Sequence, residues 1–300
     1  MRVRVLWGIV REAGEAWLDD RAPRIGAAIA FFTALSLAPL LVIALVIAGL
    51  VYGEGAARGE VADRLAGLVG PDAAKTVEDV LANSGAPRAG AAALVVSLVT
   101  LFVGATGVFV ELQEALNDVW KVRPKPGRPV RTFVRGRLLS FGMVLGVGLL
   151  LLVSLVLGSA VDAAGRAAGQ VSGAAAALRA VNLALAFAVE VVLFGMIFKV
   201  LPDAHLAWRD VGTGAVLTAA LFNLGKYLVG LFLGYSGVTT AFGAAGSLMA
   251  FLVWIYFSAL VLVFGAEVAK VTAAWAGRRI PPAAHAEVVP GATTPVSGSA

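Results

Sequence analysis

The run VGTGAVLTAALFNLGKYLVGLFL, residues 211–233, carries a single charged side chain, Lys226. At about 1.5 Å of rise per residue, a helix of this length crosses the roughly 30 Å hydrocarbon core of a bilayer. Whether lipid is in fact its solvent depends on the rest of the chain. Of 300 residues, 59% are hydrophobic and 14% charged, against about 25% charged in a typical soluble domain. That is the composition of a membrane protein.

Five other segments meet the same length requirement: Ile25–Val51, Ala91–Val110, Leu138–Ala160, Leu178–Val200 and Ala244–Val268. None shows the two-residue alternation of a membrane barrel, and all are too long for its strands. The expected fold is therefore all-α, a polytopic membrane protein with six transmembrane helices. Lys and Arg set its orientation. One set of connections collects Arg2, Arg4, Arg11, Arg21, Arg24, the run KVRPKPGRPVRTFVRGR at 121–137, Lys199, Arg209, Lys270, Arg278 and Arg279. The opposite set has Arg58, Arg64, Lys75, Arg88, Arg166 and Arg179. Both termini are expected in the cytoplasm, with the chain multi-pass in a bacterial inner membrane.

Around the six-helix domain, residues 21–276, three further segments can be read. Residues 1–20 place Val3, Trp7, Val10, Gly14 and Trp17 on a stripe opposite Arg2, Arg4, Arg11 and Glu15. This predicts an amphipathic helix lying in the membrane interface or packed on the protein. Residues 52–90 carry Val61, Leu65 and Leu68, a Gly70-Pro71 break, then Val77, Val80 and Leu81, which predicts two short amphipathic helices capping the outer face. Leu112, Leu116 and Val119 continue a helical stripe past the second span until the three prolines of 121–137 end it. That basic loop is expected to be irregular and to contact anionic headgroups, each basic residue contributing about 1 kcal/mol. It has no motif for nucleic acid. The tail 277–300, rich in Pro, Ala and Gly, is expected to be disordered.

Chemistry is limited by what is absent. The chain has no cysteine and only two histidines, His205 and His285, which removes thiolate chemistry and leaves little for a metal cluster. No phosphate-binding Walker motif is present. No cofactor, metal or catalytic residue is expected, and the chain does not read as an enzyme.

The polar residues inside the spans are the candidates for binding. Asn223, Lys226 and Tyr227 fall at i, i+3 and i+4, so they share one helix face. A charge at a membrane helix centre costs about 2.5–3.5 kcal/mol and usually faces a bundle interior. That face is expected to point inward and line a polar cavity with Glu190 of the fourth span at its floor. The alternative for Lys226 is that its stem reaches the headgroups. Pro39 removes a helical hydrogen bond near Leu35 and Ser36, so Ser36 and Pro39 join the candidate substrate-binding set. At the cytoplasmic interface, Asn117, Asp118, Glu267 and Arg24 are expected to form a polar network, with Asp118 and Glu267 partnering Arg24 or Lys121. Gly142 with Gly146, and Gly230 with Gly234, are small-residue pairs through which copies of the chain could associate.

Five stretches together resemble the YihY/BrkB family of bacterial inner-membrane proteins: GAAIAFFTALSLAPLL (26–41), LQEALNDVWKV (112–122), LPDAHLAWRDVGTGAV (201–216), FNLGKYLVG (222–230) and GAAGSLMAFLVWIYFSALVLVFGAE (243–267). The resemblance covers nearly all of the hydrophobic chain. It implies six membrane helices and, as function, movement of lipids or other envelope components. A ribonuclease label once attached to some members finds no catalytic constellation here. The expected function is a transporter or flippase-like protein for a lipid or amphiphile. The competing reading is a membrane scaffold that engages an envelope partner through the outer cap or the basic loop.

Because no native cysteine interferes, single cysteines can map the topology. Cysteines at positions 5, 125, 205 and 285 should be shielded from an impermeant external thiol reagent, and those at 64, 85 and 168 labelled. Labelling at 125 would reverse the orientation.

Overall fold

The computed structural model describes residues 2–36, 91–126, 174–236 and 238–289. These form six helices, α1 (Arg2–Asp19), α2 (Ala22–Ser36), α3 (Ala91–Val119), α4 (Ala174–Val200), α5 (Trp208–Ser236) and α6 (Val238–Trp275), and two short strands, β1 (Val122–Pro124) and β2 (Ala286–Val288). The third expected span, Leu138–Ala160, the outer cap 52–90, Pro39, and Gly142 with Gly146 lie outside the described residues.

Three of these helices contain stretches long and apolar enough to cross a membrane: Val99–Val119, Ala180–Val200 and Phe251–Trp275. Only 18% and 17% of the first two stretches is buried within the protein. Apolar helices left uncovered in this way require a solvent other than water, and a bilayer supplies it. The α5 helix, expected as the fifth span, carries Asn223 and Lys226 in its apolar run and is not among the three.

Helix ends follow local rules. α6 stops at Gly277, which adopts φ 68°. There the Gly277 amide donates to the Ala274 carbonyl at 2.8 Å and the Arg278 amide to Ala273 at 3.0 Å, the paired bonds of a Schellman motif. α1 and α3 also end on left-handed residues, here non-glycine: Arg21 at φ 55°, its amide donating to Leu18 at 3.0 Å, and Lys121 at φ 52°, its amide donating to Asp118 at 3.1 Å. α5 starts on a half capping box: Asp210 in the first turn accepts the Ala207 amide at 2.8 Å, and its charge favours the positive helix terminus.

The described residues fall into two compact units. The first draws on Met1–Ala22, Gln113–Asn223 and Val261–Ala300. In it α5 and α6 touch backbone to backbone. A Cβ on Gly214 would meet the Gly265 carbonyl oxygen, and one on Gly265 would meet the Thr218 side chain. Thr218 turns its hydroxyl back to the Gly214 carbonyl at 2.8 Å, so no polar atom is wasted in the contact. α1 lies on α6 through Ala13 against Val268 and Val271, with Ile9, Leu217 and Phe264 packed around them. Trp275 closes this contact by donating its indole N–H to Glu12 at 2.8 Å. On the opposite side of α1, Trp7 and Leu18 are more than 60% exposed. The helix thus packs on the protein by one face and offers an apolar face besides.

The second unit draws on Pro23–Leu112 and Leu224–Leu260. Gly104 and Gly107 of α3 receive Phe32 and Ser36 of α2, while Gly26 of α2 receives Tyr256 and Leu260 of α6. Gly225 of α5 receives Phe257, whose ring stacks on Trp254.

Two expectations are corrected here. The tail beyond Gly277 is ordered through Val289, and the start of the basic loop is a strand. β1 and β2 pair antiparallel, Val122 opposite Val288, Arg123 opposite Glu287 and Pro124 opposite Ala286. Composition misled because this segment builds no core of its own. It is held by backbone bonds to 201–205 and 121–125, and by Ala283 and Ala286 buried between them.

The glycine contacts make a paired test. Gly214→Ala should lower thermal stability, because a methyl cannot be placed without separating α5 from α6, a class of change that costs about 1–3 kcal/mol. Gly14→Ala, where nothing lies within 4 Å, should leave the melting temperature unchanged or raise it. Equal behaviour of the two variants in a thermal melt would refute the packing argument.

Candidate functional site

Two polar centres stand out in the first unit. One is the junction where α3 ends, α4 turns into α5 and the C-terminal segment returns. Asp203, 5% exposed, is its hub. One carboxylate oxygen, Oδ2, accepts the Asn117 amide at 3.0 Å, while the Asp203 backbone N–H donates to the Asn117 side-chain oxygen at 2.7 Å. The other, Oδ1, lies 2.7 Å from His285 Nε2 and 3.5 Å from the Gln113 amide. A buried carboxylate has to be surrounded by donors, and this one draws them from α3 and from the C-terminal segment.

Backbone bonds repeat the same connection. The Ala283 amide donates to the Asp203 carbonyl at 2.9 Å and the His205 amide to Pro281 at 2.9 Å. Lys125 is tied twice, its backbone N–H to the His285 carbonyl at 2.9 Å and its ammonium to Ala284 at 3.1 Å. Around the rim, Arg278 pairs with Asp210 at 2.9 Å and Arg123 with Glu287 at 2.8 Å. Lys199 sits 4.9 Å from the centre of the Trp208 ring, a cation–π contact across the α4–α5 turn. The N-terminal helix, the 121–126 turn, the 201–207 turn and the C-terminal segment all contribute to this unit.

The second centre lies within the apolar helices. Glu190, at the middle of Ala180–Val200, accepts a hydrogen bond from the Asn223 amide of α5. Asn223 also donates to the Ala219 carbonyl one turn back, at 2.8 Å, which fixes its rotamer. Both side chains are half-buried. Phe194 and Phe222 meet edge to face on the same helix pair, their centroids 5.5 Å apart.

The expected inward face of α5 therefore divides. Asn223 turns to Glu190, whereas Lys226 is exposed and Tyr227 is 65% exposed. A helix face that includes i, i+3 and i+4 spans enough arc to straddle the boundary between interior and surface. Ser36 donates to the Phe32 carbonyl at 2.9 Å in α2, a local bond, and Pro39 is outside the described residues.

The interfacial set is also rearranged. Asn117 is central, through Asp203. Glu267 pairs with Lys270 at 2.7 Å, and Lys121 pairs with Asp20. Arg24 and Asp118 are exposed. Asp20, Asp203, Asp210, Arg278 and His285 were not singled out from sequence. The available signal was positional: LPDAHL puts an acid in a turn only a few residues long between two apolar helices, where it is hard to leave solvated. Among the described residues no group of His, Asp and Glu is arranged to hold a metal ion.

The family model for Virulence factor BrkB matches residues 13–288. A UPF0761 membrane protein of Ralstonia nicotianae is 29% identical over 262 residues, 87% of this chain and 56% of that protein. Similar proteins of the same description occur in Pseudomonas aeruginosa, 28% identical over 83% of this chain and 59% of theirs, and in Rhodospirillum centenum, 28% identical over 91% and 59%. The chain thus spans less than three-fifths of the length of the curated relatives it matches. No solved structure matches it.

Removing the hub tests the junction. Asp203→Ala strands the buried Asn117 amide, at about 1–3 kcal/mol for an unsatisfied buried group, and removes the contact with His285. We expect lower thermal stability together with new protease cleavage between residues 278 and 289, read by mass spectrometry. Unchanged protection of that segment would show that the backbone bonds hold it alone.

Proposed function

The chain belongs to the Virulence factor BrkB family, and from the polar pair between its apolar helices we propose that it moves a lipid or another amphiphile across the membrane. In this reading it is a bacterial inner-membrane protein of six spans with both termini in the cytoplasm. The observation that carries the reading is Glu190 with Asn223, placed at the middle of an apolar stretch. A carboxyl group kept there at a cost of about 2.5–3.5 kcal/mol marks a pathway or a binding group more often than a structural one. Carboxyl and amide together offer acceptors and donors that a polar headgroup can exchange for each other while its tails stay among the helices.

In the second unit, Lys226 and Tyr227 are exposed on α5, and an exposed lysine stem of this kind can extend towards a headgroup. The chain has no nucleotide-binding motif, so net movement would draw on a gradient, a partner or downhill flow. Lys121, Arg123 and Lys125 are engaged within the protein, so contact with anionic headgroups falls to Arg128, Arg131, Arg135 and Arg137 of the basic loop.

Reconstitution in liposomes containing a headgroup-labelled fluorescent lipid measures this directly. Dithionite bleaches only the outer leaflet of protein-free vesicles; vesicles holding the protein should bleach beyond half. Glu190→Gln should slow that second phase severalfold, since the amide keeps one acceptor for Asn223 and loses the second acceptor oxygen that a carboxyl group offers a headgroup. Bleaching that stops at half with wild-type protein, across several headgroups, would replace transport by the scaffold reading.

A further inference from the structure

The α1 helix carries three different surfaces around its circumference. On the first, Ala13 packs on α6 at Val268 and Val271, with Ile9 beside it. Next to that face, at 3.6 residues per turn, Leu6, Val10, Gly14, Trp7 and Leu18 fall within about a third of the circumference. Trp7 is 70% exposed, Leu6 and Leu18 63% each and Val10 43%. A side chain at Gly14 would meet nothing within 4 Å, so no described residue lies against the middle of this stripe. Beyond its far edge come Arg11, Arg4 and Glu15, all exposed, with Arg11 pairing to Glu15 at 2.8 Å.

The ends of the apolar helices fix the level at which the stripe lies. The apolar stretch of α6 ends at Trp275, just before Gly277, Arg278 and Arg279. Trp275 is 48% exposed; a Cβ on Gly8 of α1 would meet its ring at 3.1 Å, and its indole N–H donates to Glu12. Trp208, at the start of α5, is 50% exposed as well. Tryptophans that end membrane spans sit among the headgroups, where the ring is in an apolar layer and the N–H finds a polar partner. α1 is therefore held by its middle at the boundary between hydrocarbon and water.

We propose that α1 is a lipid-binding element: Leu6, Trp7, Val10 and Leu18 enter the headgroup layer at the end of the α6 span, while Arg4 and Arg11 stay at its aqueous edge within reach of phosphates. An apolar stripe with protein along one border and charges along the other has lipid on one side and water on the next, as an interfacial helix requires. Charge favours a phospholipid surface over a second copy of the chain. The acids Glu12 and Asp20 turn inward, to Trp275 and Lys121. Among the described side chains of α1 and the turn after it, the exposed charges are Arg4, Arg11 and Arg21 against Glu15 and Asp19. That basic excess repels a copy of itself and attracts phosphate groups. The anchor is separate from Glu190 and does not depend on the transport reading.

The chain contains no cysteine, so one nitroxide at a time can be placed on α1 of the full protein in nanodiscs of phosphatidylcholine and phosphatidylglycerol. Labels at Trp7→Cys, Val10→Cys and Leu18→Cys should be relaxed more strongly by oxygen, which concentrates in lipid, than by a water-soluble nickel chelate. Labels at Arg4→Cys and Glu15→Cys should show the reverse preference. Nickel preference at every position would place α1 in water and overturn the proposal. Protection of positions 7, 10 and 18 from both reagents would overturn it too, since a protein surface would then cover the stripe. If the labelled variants do not reconstitute, Trp7→Phe decides the question. Lipids brominated near the headgroup should quench the tryptophan emission of the wild type, and the variant should lose part of that quenching; an equal quenched fraction in the two proteins overturns lipid contact at Trp7.

Discussion

Asp203 is the constraint around which the first unit is arranged. A carboxylate with so little contact with water cannot be left among apolar atoms, and a turn as short as 201–207 cannot supply its donors alone. Asn117 and Gln113 reach it from α3, and His285 reaches it from a segment more than eighty positions further along the chain. Meeting that one demand fixes where α3 stops, how α4 turns into α5 and where the chain travels after α6. The helices themselves are simpler, since each satisfies its own backbone and asks of its neighbours only close contact.

That close contact comes from glycine. Between α5 and α6 the backbones approach at Gly214 and Gly265, and α2 meets α3 at Gly104 and Gly107. In lipid, side-chain burial gives no hydrophobic gain over the bilayer itself, so contact area and short backbone distances hold helices together. Thr218, Ser36 and Ser258 fit the same economy: each hydroxyl is returned to a carbonyl one turn earlier, at 2.8, 2.9 and 2.8 Å. Polar atoms are thereby present without asking for a partner on another helix.

Much of this was legible in the residues. Long apolar runs locate α3, α4, α5 and α6, and the stripe Leu112, Leu116, Val119 correctly carries α3 past the apolar run, with Leu116 and Val119 fully buried. What escaped was every contact that depends on distant segments. The residues after Gly277 look unstructured because their order is borrowed from β1 and from the 201–205 turn. Asp203 and His285 look unremarkable one at a time, and nothing local links them. Lys226 shows a finer limit: periodicity names a face, while the direction of that face depends on which helices lie beside it.

The route of the C-terminal segment bears on how the protein is made. Residues 281–289 leave the ribosome after all the described helices, yet Asp203, His205 and Lys121 bond to them. Until that segment emerges, the turn before α5 has been synthesised with its acid still lacking His285, and β1 has no strand to pair with. Insertion of the helices can proceed one at a time as they appear. Closure of the junction has to wait until residues 281–289 have been made, so a nascent chain stalled just after α6 would be inserted in the membrane but unlocked.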